Sequence, residues 1–386
     1  MPALPLPRAD TRPWRKARRR LRFVLGRKLL LLRRLLALMG ATHGGFVTLG
    51  IESSCDDTAL AVTADGGRIV ADAISSQIDS HSVYGGVVPE LASRMHQEAI
   101  LPLLAKVLGD AGISSPRDEI DLIAVTAGPG LMGSLLVGVM TAKALAQGWG
   151  LPLIGVNHLE GHIFANVARK EGDERPVPEP PFISMIVSGG HTEVVLVRSF
   201  GDYELLGSTR DDAAGEAYDK VSKVLGLGYP GGPVIDRLAA GGNPQAFTLP
   251  IPLAGSKEIE FSFSGLKTAA ITLIEKEKAE GCEFPLADVC ASFQRAVVES
   301  LLSKLKLAIK NTGVRRVTLS GGVAANSALR AALTDYSQKR GVELFLPPRA
   351  MCTDNAAMIA AAGYASYMRG NRSTLALSPN PSWSVW

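Results

Sequence analysis

The segment Asn157-His158-Leu159-Glu160-Gly161-His162 carries two histidines four residues apart. On a helix that spacing places both imidazoles on one face, within reach of a single metal ion. The order differs from the zinc-protease H-E-x-x-H, because the acid follows the first histidine by two positions rather than one. Taken alone, the pair fits a polar cap at a helix start equally well. Far along the chain, Cys352-Thr353-Asp354-Asn355-Ala356-Ala357 opens another helical stretch. There, Thr353 or Asp354 can serve simply as an N-cap. Joined, His158, His162 and Asp354 make a facial set of two imidazoles and one carboxylate. Such a set leaves coordination positions open and suits Fe(II), with Zn(II) the second choice. Asp354 comes from the second half of the chain, so an ion held this way is expected to bridge two lobes.

Glycine turns after strands form the next group: Ala127-Gly128-Pro129-Gly130 with Met132-Gly133-Ser134; Ser188-Gly189-Gly190-His191-Thr192; Tyr229-Pro230-Gly231-Gly232-Pro233; and Ser320-Gly321-Gly322-Val323-Ala324-Ala325-Asn326. Each alone is an ordinary turn. Several at the strand ends of a repeated α/β pattern suggest a nucleotide held by backbone amides. G-x-x-x-x-G-K-[ST] does not occur, so a P-loop is not indicated.

Acids mark two further places. Gly50-Ile51-Glu52-Ser53-Ser54-Cys55-Asp56-Asp57-Thr58 reads as a hairpin whose acids either hold a metal-linked phosphate, orient water, or, as Asp56 and Asp57, merely build the turn. In Asp211-Asp212-Ala213-Ala214-Gly215-Glu216-Ala217-Tyr218-Asp219-Lys220, Asp211 or Asp212 can cap a helix, and Asp219 can accept hydrogen bonds from a ribose.

The elements that must position these groups follow from periodicity. Short apolar runs predict strands at 46–51, 58–63 and 68–74, a helix over 89–110, a strand at 121–126, a helix over 132–147 and a strand at 153–156 running into the His158 helix. The polar, proline-rich stretch 171–181 reads as a linker. The order then repeats: strands at 182–187, 192–197 and 203–206; helices over 213–225, 265–278 and 288–310; a strand at 316–319, a helix over 325–339, a strand at 343–346 and a helix over 355–369. Such a duplicated order predicts an α/β protein of two lobes facing a cleft. The expected divisions are a lobe over 45–180, a second over 181–370 with a helical insert at about 240–310, and a tail over 371–386.

Composition bounds the function classes. The chain has 386 residues, of which 46% are hydrophobic and 20% charged, which suits a globular protein with two cores. The four cysteines, Cys55, Cys282, Cys290 and Cys352, form no C-x-x-C pair, and no disulfide framework is expected. The net +4 is unevenly spread. Residues 1–44 carry 12 Lys and Arg against one acid, Asp10, a charge of +11, and the rest stands at −7. The body therefore lacks a general basic footprint, and RNA binding would need a local cluster or a partner. The extension is too short in its apolar run and too charged to span a bilayer, and it contains no serine, which argues against a mitochondrial presequence. It reads as a disordered segment, or as the product of an upstream start codon with Met39 the true first residue. A basic amphipathic helix on RNA or membrane is the other reading.

Eight ordered segments carry a family resemblance: Gly50–Thr58, Tyr84-Gly85-Gly86-Val87-Val88-Pro89-Glu90, Thr126–Gly133, Asn157–His162, Ser188–Thr192, Asp211–Lys220, Phe261-Ser262-Phe263-Ser264-Gly265-Leu266-Lys267 and Cys352–Ala356. Over about residues 46–368 the chain resembles the bacterial and organellar tRNA N6-adenosine threonylcarbamoyltransferase family, formerly called glycoprotease or O-sialoglycoprotein endopeptidase. The resemblance implies the duplicated fold of actin, Hsp70 and sugar kinases. It implies transfer of a threonylcarbamoyl group from threonylcarbamoyl-AMP to the N6 amine of the adenosine at position 37 of tRNAs reading codons that start with A. It also implies one divalent ion, Fe(II) or Zn(II), on His158, His162 and Asp354, and a donor site at Ile186, Val187, Ser188, Gly189, Gly190, Asp219, Gly232, Asp236 and Asn326. Companion proteins are implied too, a paralogous two-lobed subunit and a small ATPase, with a cytoplasmic location (mitochondrial as the alternative) and no membrane. Glu52 and Asp57 are the candidates for general base. Two other chemistries compete, an ATP-dependent sugar-type kinase on the same fold and a metalloprotease. The first has no need of a His-His-Asp ion, and the second lacks H-E-x-x-H.

Overall fold

Strands buried on both faces organise each half of the molecule. The computed structural model describes residues 45–279 and 285–386, so the basic extension and Cys282 lie outside the described residues. Strands β1 (Val47–Glu52), β2 (Asp57–Ala64) and β3 (Arg68–Ser76) form an antiparallel meander. Helices α1 (Ile78–Ser82), α2 (Pro89–Asp110) and α3 (Pro116–Glu119) lead to β4 (Leu122–Gly128), which pairs parallel to β1. Helix α4 (Met132–Trp149) leads to β5 (Leu153–Asn157), then α5 (His158–Phe164) and the short edge strand β6 (Arg169–Lys170). The sheet order is β5-β4-β1-β2-β3-β6.

Residues 171–181 join β6 to β7 (Phe182–Val187) without helix or strand. The second sheet repeats the scheme. β7, β8 (Thr192–Ser199) and β9 (Asp202–Ser208) form the meander. Helices α6 (Ala214–Leu225), α7 (Gly231–Ala239), α8 (Ser264–Ala279) and α9 (Leu286–Thr312) intervene before β10 (Arg316–Ser320), which pairs parallel to β7. Helix α10 (Ser327–Arg340), β11 (Glu343–Phe345) and α11 (Ala356–Met368) complete the chain, in the order β11-β10-β7-β8-β9. Helix α7 occupies a stretch expected to be only a turn. Its glycines and Pro233 lie in the first helical turn, where a missing amide breaks no intrahelical bond.

Strand alternation decides what each face meets. Val47, Leu49 and Ile51 of β1 join Ile100, Leu104 and Val107 of α2 and Val139 of α4 in one core. The intervening residues face α11, and this is where the structure departs from the expected second lobe over 181–370. Helix α11 belongs to the second half in sequence but packs on β1, β2 and β4 of the first sheet. The approach is close, since a Cβ on Gly50 would sit 2.2 Å from Ala356 O and one on Gly363 would sit 2.3 Å from Ala124 Cβ. Helix α5 does the converse. Its Leu159 and Ile163 pack on Phe182, Ile186, Val195 and Val197 of the second sheet, and it also lies against α11. Each lobe thus lends one helix to the other. The larger core of the second lobe, with Met185, Tyr218, Phe261, Phe293 and Leu319, fills the sheet's opposite face.

Residues 371–386, set aside as a tail, return over the first sheet, where Ser373 bridges Leu153 and the Asn380 amide donates to Ala127 O at 2.7 Å. Among the described residues no helix is long and apolar enough to cross a membrane.

Candidate functional site

Strand β5 ends at Asn157, whose Oδ1 accepts from the Leu159 amide at 2.9 Å and the Glu160 amide at 3.4 Å and so starts α5. The helix is buried throughout, and its periodicity brings His158 and His162 together edge to face, with ring centroids 4.7 Å apart. Asp354 closes the group, its Oδ1 lying 3.5 Å from His158 Nε2 and 3.3 Å from His162 Nε2. The N-cap of α11 is Asn355, which accepts from the Met358 amide at 3.0 Å, so Asp354 is free of the capping role. The three donor atoms lie within 4.8 Å of one another. Donors bound at roughly 2.1 Å in tetrahedral or octahedral array stand about 3.0–3.4 Å apart, close to what Asp354 shows. His162 is fully buried, and among the described residues neither of its ring nitrogens has a hydrogen-bond partner of good geometry. An orphaned buried Nε2 facing a carboxylate is what an ion would satisfy. The residues present fit a metal.

Glu52 stands behind this group. Its Oε2 accepts from Thr126 Oγ1 at 2.6 Å and lies 3.1 Å from His158 Nδ1, and its Oε1 accepts from the Ser54 amide at 2.5 Å. In its neutral form, with the proton on Nδ1 pointing at this carboxylate, His158 would turn the Nε2 lone pair towards Asp354, as binding an ion requires. Burial disfavours the charged form of His158, yet Asp354 and Glu52 together raise it to about 9. Burial works against the charge of Asp354 as well, and His158 and His162 more than offset it, holding the carboxyl well below the usual range. Glu52, expected as a candidate general base, is fully buried with both oxygens engaged, and it stands beside His158 rather than on the wall of the adjoining cleft. Asp57 differs. It lines the adjoining cleft, its Oδ1 has no hydrogen-bond partner among the described residues, and burial raises it to about 7 against a hydrogen bond to Ser76.

The cleft has a volume of about 1350 Å³ and reaches His158 and Asp354 at one end. Of the residues expected in the donor site, Ser188, Gly189, Gly190, Asp219, Gly232, Asp236 and Asn326 line this cleft. Ile186 and Val187 do not, being fully buried in β7 beneath the turn they lead into. Side chains differ in their freedom. Asp219 accepts from the Gly231 amide through Oδ1, at 2.7 Å, and burial raises it to about 6. Asp236 accepts from the Ser327 amide and hydroxyl, so its oxygens cap α10. Asn326 caps the same helix through the Leu329 amide, at 2.9 Å, and its Nδ2 donates to Gln294 Oε1 at 2.7 Å. The glycines also divide. A Cβ on Gly189, Gly190, Gly232 or Gly322 would meet nothing within 4 Å, whereas one on Gly128 would strike Asn380 O and one on Gly130 would strike Ser54 O.

Asp211 caps no helix of its own segment. It accepts from the Phe263 and Ser264 amides at 2.7 and 3.1 Å, starting α8, while Asp212 pairs with Lys267 and Lys220. Sequence reasoning missed Lys223, Arg237, Arg349 and His191 on the cleft wall. Single cations in helices carry no spacing signal. His191 stood inside a quoted glycine turn, and burial, aided by His158 and His162, lowers it to about 4.

The family model described as "tRNA N6-adenosine threonylcarbamoyltransferase" matches residues 68–361. Curated proteins of that name match over almost their whole lengths. The one from Dictyoglomus turgidum is 49% identical over 87% of this chain and 98% of its own, and the one from Bacillus anthracis is 50% identical over 88% and 96%. The chain belongs to this family. As a tRNA N6-adenosine threonylcarbamoyltransferase family member it is a transferase of tRNA modification, and neither the sugar kinase nor the metalloprotease is retained. A further relative, from Anaeromyxobacter dehalogenans, is 50% identical over 87% of this chain and 99% of its own. The duplicated actin- and Hsp70-like fold recurs in the solved structure of "T.kodakarensis HypF", with a TM-score of 0.55 at 16% identity over 84% of this chain and 48% of that one. Full-length HypF in its phosphate- and nucleotide-bound form gives 0.54 at 16% identity, over 84% and 56%.

Proposed function

We propose that the cleft binds threonylcarbamoyl-AMP and passes its acyl group to N6 of adenosine 37 in tRNAs that read codons starting with A, with release of AMP. The observation that supports this best is the meeting, in one cleft, of the His158–His162–Asp354 group with an open glycine wall. Gly189, Gly190 and Gly232 border open space that a phosphate can enter, and Lys223, Arg237 and Arg349 supply charge for it. The Asp219 oxygen not held by Gly231 suits a ribose hydroxyl. His158, His162 and Asp354 would hold Fe(II), with Zn(II) the alternative, and the bound ion supplies Lewis-acid polarisation of the donor's carbonyl or phosphoryl oxygen. The adenine amine attacks the carbonyl carbon, the bond from that carbon to the phosphate oxygen breaks, and AMP leaves with the electron pair. Asp57 takes the amine proton. The body's charge of −7 and the half-exposed stripe of Met132, Leu136 and Met140 on α4 support companion proteins; a paralogous two-lobed subunit and a small ATPase, acting in the cytoplasm, complete the proposal.

The test is mass spectrometry of nucleosides from tRNA incubated with the protein, the adenylate donor and candidate companions. The expected result is threonylcarbamoyladenosine at position 37 with one AMP released per modification. Unmodified tRNA in the presence of companions proven active would refute the reading. Because Asp57 must be ionised to accept a proton, the rate should climb with pH through about 7. Asp57→Asn should lower it by roughly 10²–10⁴ and flatten that limb. An undiminished rate in the variant would remove Asp57 from the mechanism.

A further inference from the structure

Residues 373–386 pass three supports in turn. Ser373 pairs with Leu153, and its Oγ accepts from the Gly155 amide at 3.0 Å. Asn380 and Pro381 then bind both sides of the glycine turn, through Ala127 O at 2.7 Å and the Gly130 amide at 3.2 Å. Gly128 has φ 148°, and a Cβ there would fall 1.9 Å from Asn380 O, so this glycine answers to the returning segment rather than to the cleft. Last, Trp383 O accepts from Asn157 Nδ2 at 2.9 Å.

That final bond acts on the histidines. An asparagine amide offers a donor on one side and an acceptor on the other. A carbonyl can only accept, so Trp383 obliges Asn157 to turn Nδ2 outward and Oδ1 towards the amides of Leu159 and Glu160. Helix α5 is thereby started in one setting, one residue before His158. Beyond Trp383, the Trp386 ring stands edge-on to Tyr203, with centroids 6.5 Å apart. Tyr203 OH donates to Glu160 Oε1 at 2.7 Å, and Glu160 lies between the two histidines.

We infer that residues 373–386 form a positioning strap for α5, holding His158 and His162 in register with Asp354. This rests on the metal reading above. The probe is cobalt(II), titrated into chelator-treated full-length protein and followed by its visible ligand-field absorption. Two variants are compared, a chain ended at Pro381 and Asn157→Asp. The aspartate still accepts from the Leu159 and Glu160 amides but cannot donate to Trp383 O. Each is expected to weaken cobalt binding about tenfold and to alter the spectrum, as loss of an outer-shell support does. Combined, they should weaken it no further, since both break one link. Unchanged affinity and spectrum in Asn157→Asp overturn the inference whether or not the shortened chain folds. A lowered thermal midpoint with wild-type cobalt binding overturns it too, as does a pair of losses that multiply. If the wild type takes up no cobalt, the metal reading falls and the strap with it. If the wild type binds and Asn157→Asp binds equally, the strap alone falls.

Discussion

At Glu52, Thr126 Oγ1 and the Ser54 amide leave the carboxylate one direction in which to act, towards His158 Nδ1. Glu52→Gln keeps the shape but replaces a purely accepting group. Metal affinity should fall about 10–100-fold, read by competition with a chelating dye, while the fold persists. Wild-type affinity would show that Glu52 does not orient the ligand. The histidine pair was legible because helical periodicity is local. The pairing of Glu52 with His158 was not, because the two lie 106 residues apart and only the sheet brings them together. Asp236 and Asn326 reached the cleft as expected, yet their side chains serve as caps, a use that depends on where α10 begins. Glu193 is a residue that no motif marked. Burial raises it to about 7, and its Oε2 has no partner among the described residues. A folded value above the ordinary 4.5 favours the protonated form, so its contribution is present below pH 4.5 and lost as pH rises through 7. Glu193→Gln should therefore stabilise the protein by on the order of 1–2 kcal/mol at pH 8 and by little at pH 4. Denaturant midpoints of the two proteins across that range decide it, and a constant difference would exclude titration as the cause.

The helices teach a different lesson. Helix α11 is apolar all round, which says that it is buried but not against what. Sequence order assigned it to the second lobe, whereas the small faces of Gly50, Ala356, Ala360 and Gly363 let it lie close on the first sheet. Gly50→Val should cost at least about 3 kcal/mol, because backbone rather than a flexible side chain meets the new atoms. Chemical denaturation measures it, and a loss below about 1 kcal/mol would contradict the close packing. Helix α7 was hidden by its own punctuation, since glycine and proline mark turns more often than first turns. Strand placement was more legible, because runs buried on both faces read as unbroken apolar stretches.

Over the whole molecule, the repeated order of elements was enough to foresee two similar sheets, since each repeat obeys the same pairing logic. Charge distribution poses the open question. Residues 1–44 hold +11 against −7 in the remainder, and every group of the proposed site lies between Glu52 and Asp354. A chain begun at Met39 should keep its thermal midpoint and its rate on tRNA. If the arginines supplied the RNA contact, affinity would drop more than about tenfold, roughly 1.4 kcal/mol, and most steeply at low salt. Binding of both chains measured at two ionic strengths separates the outcomes. The exchanged helices carry one more implication. Helix α5 is seated on the second sheet and α11 on the first, and the two lie against each other. Any turning of one lobe about the other would have its axis near this pair, and displacement grows with distance from an axis. His158, His162 and Asp354 therefore stand near that axis, where the mouth of the cleft can widen while the three side chains scarcely separate.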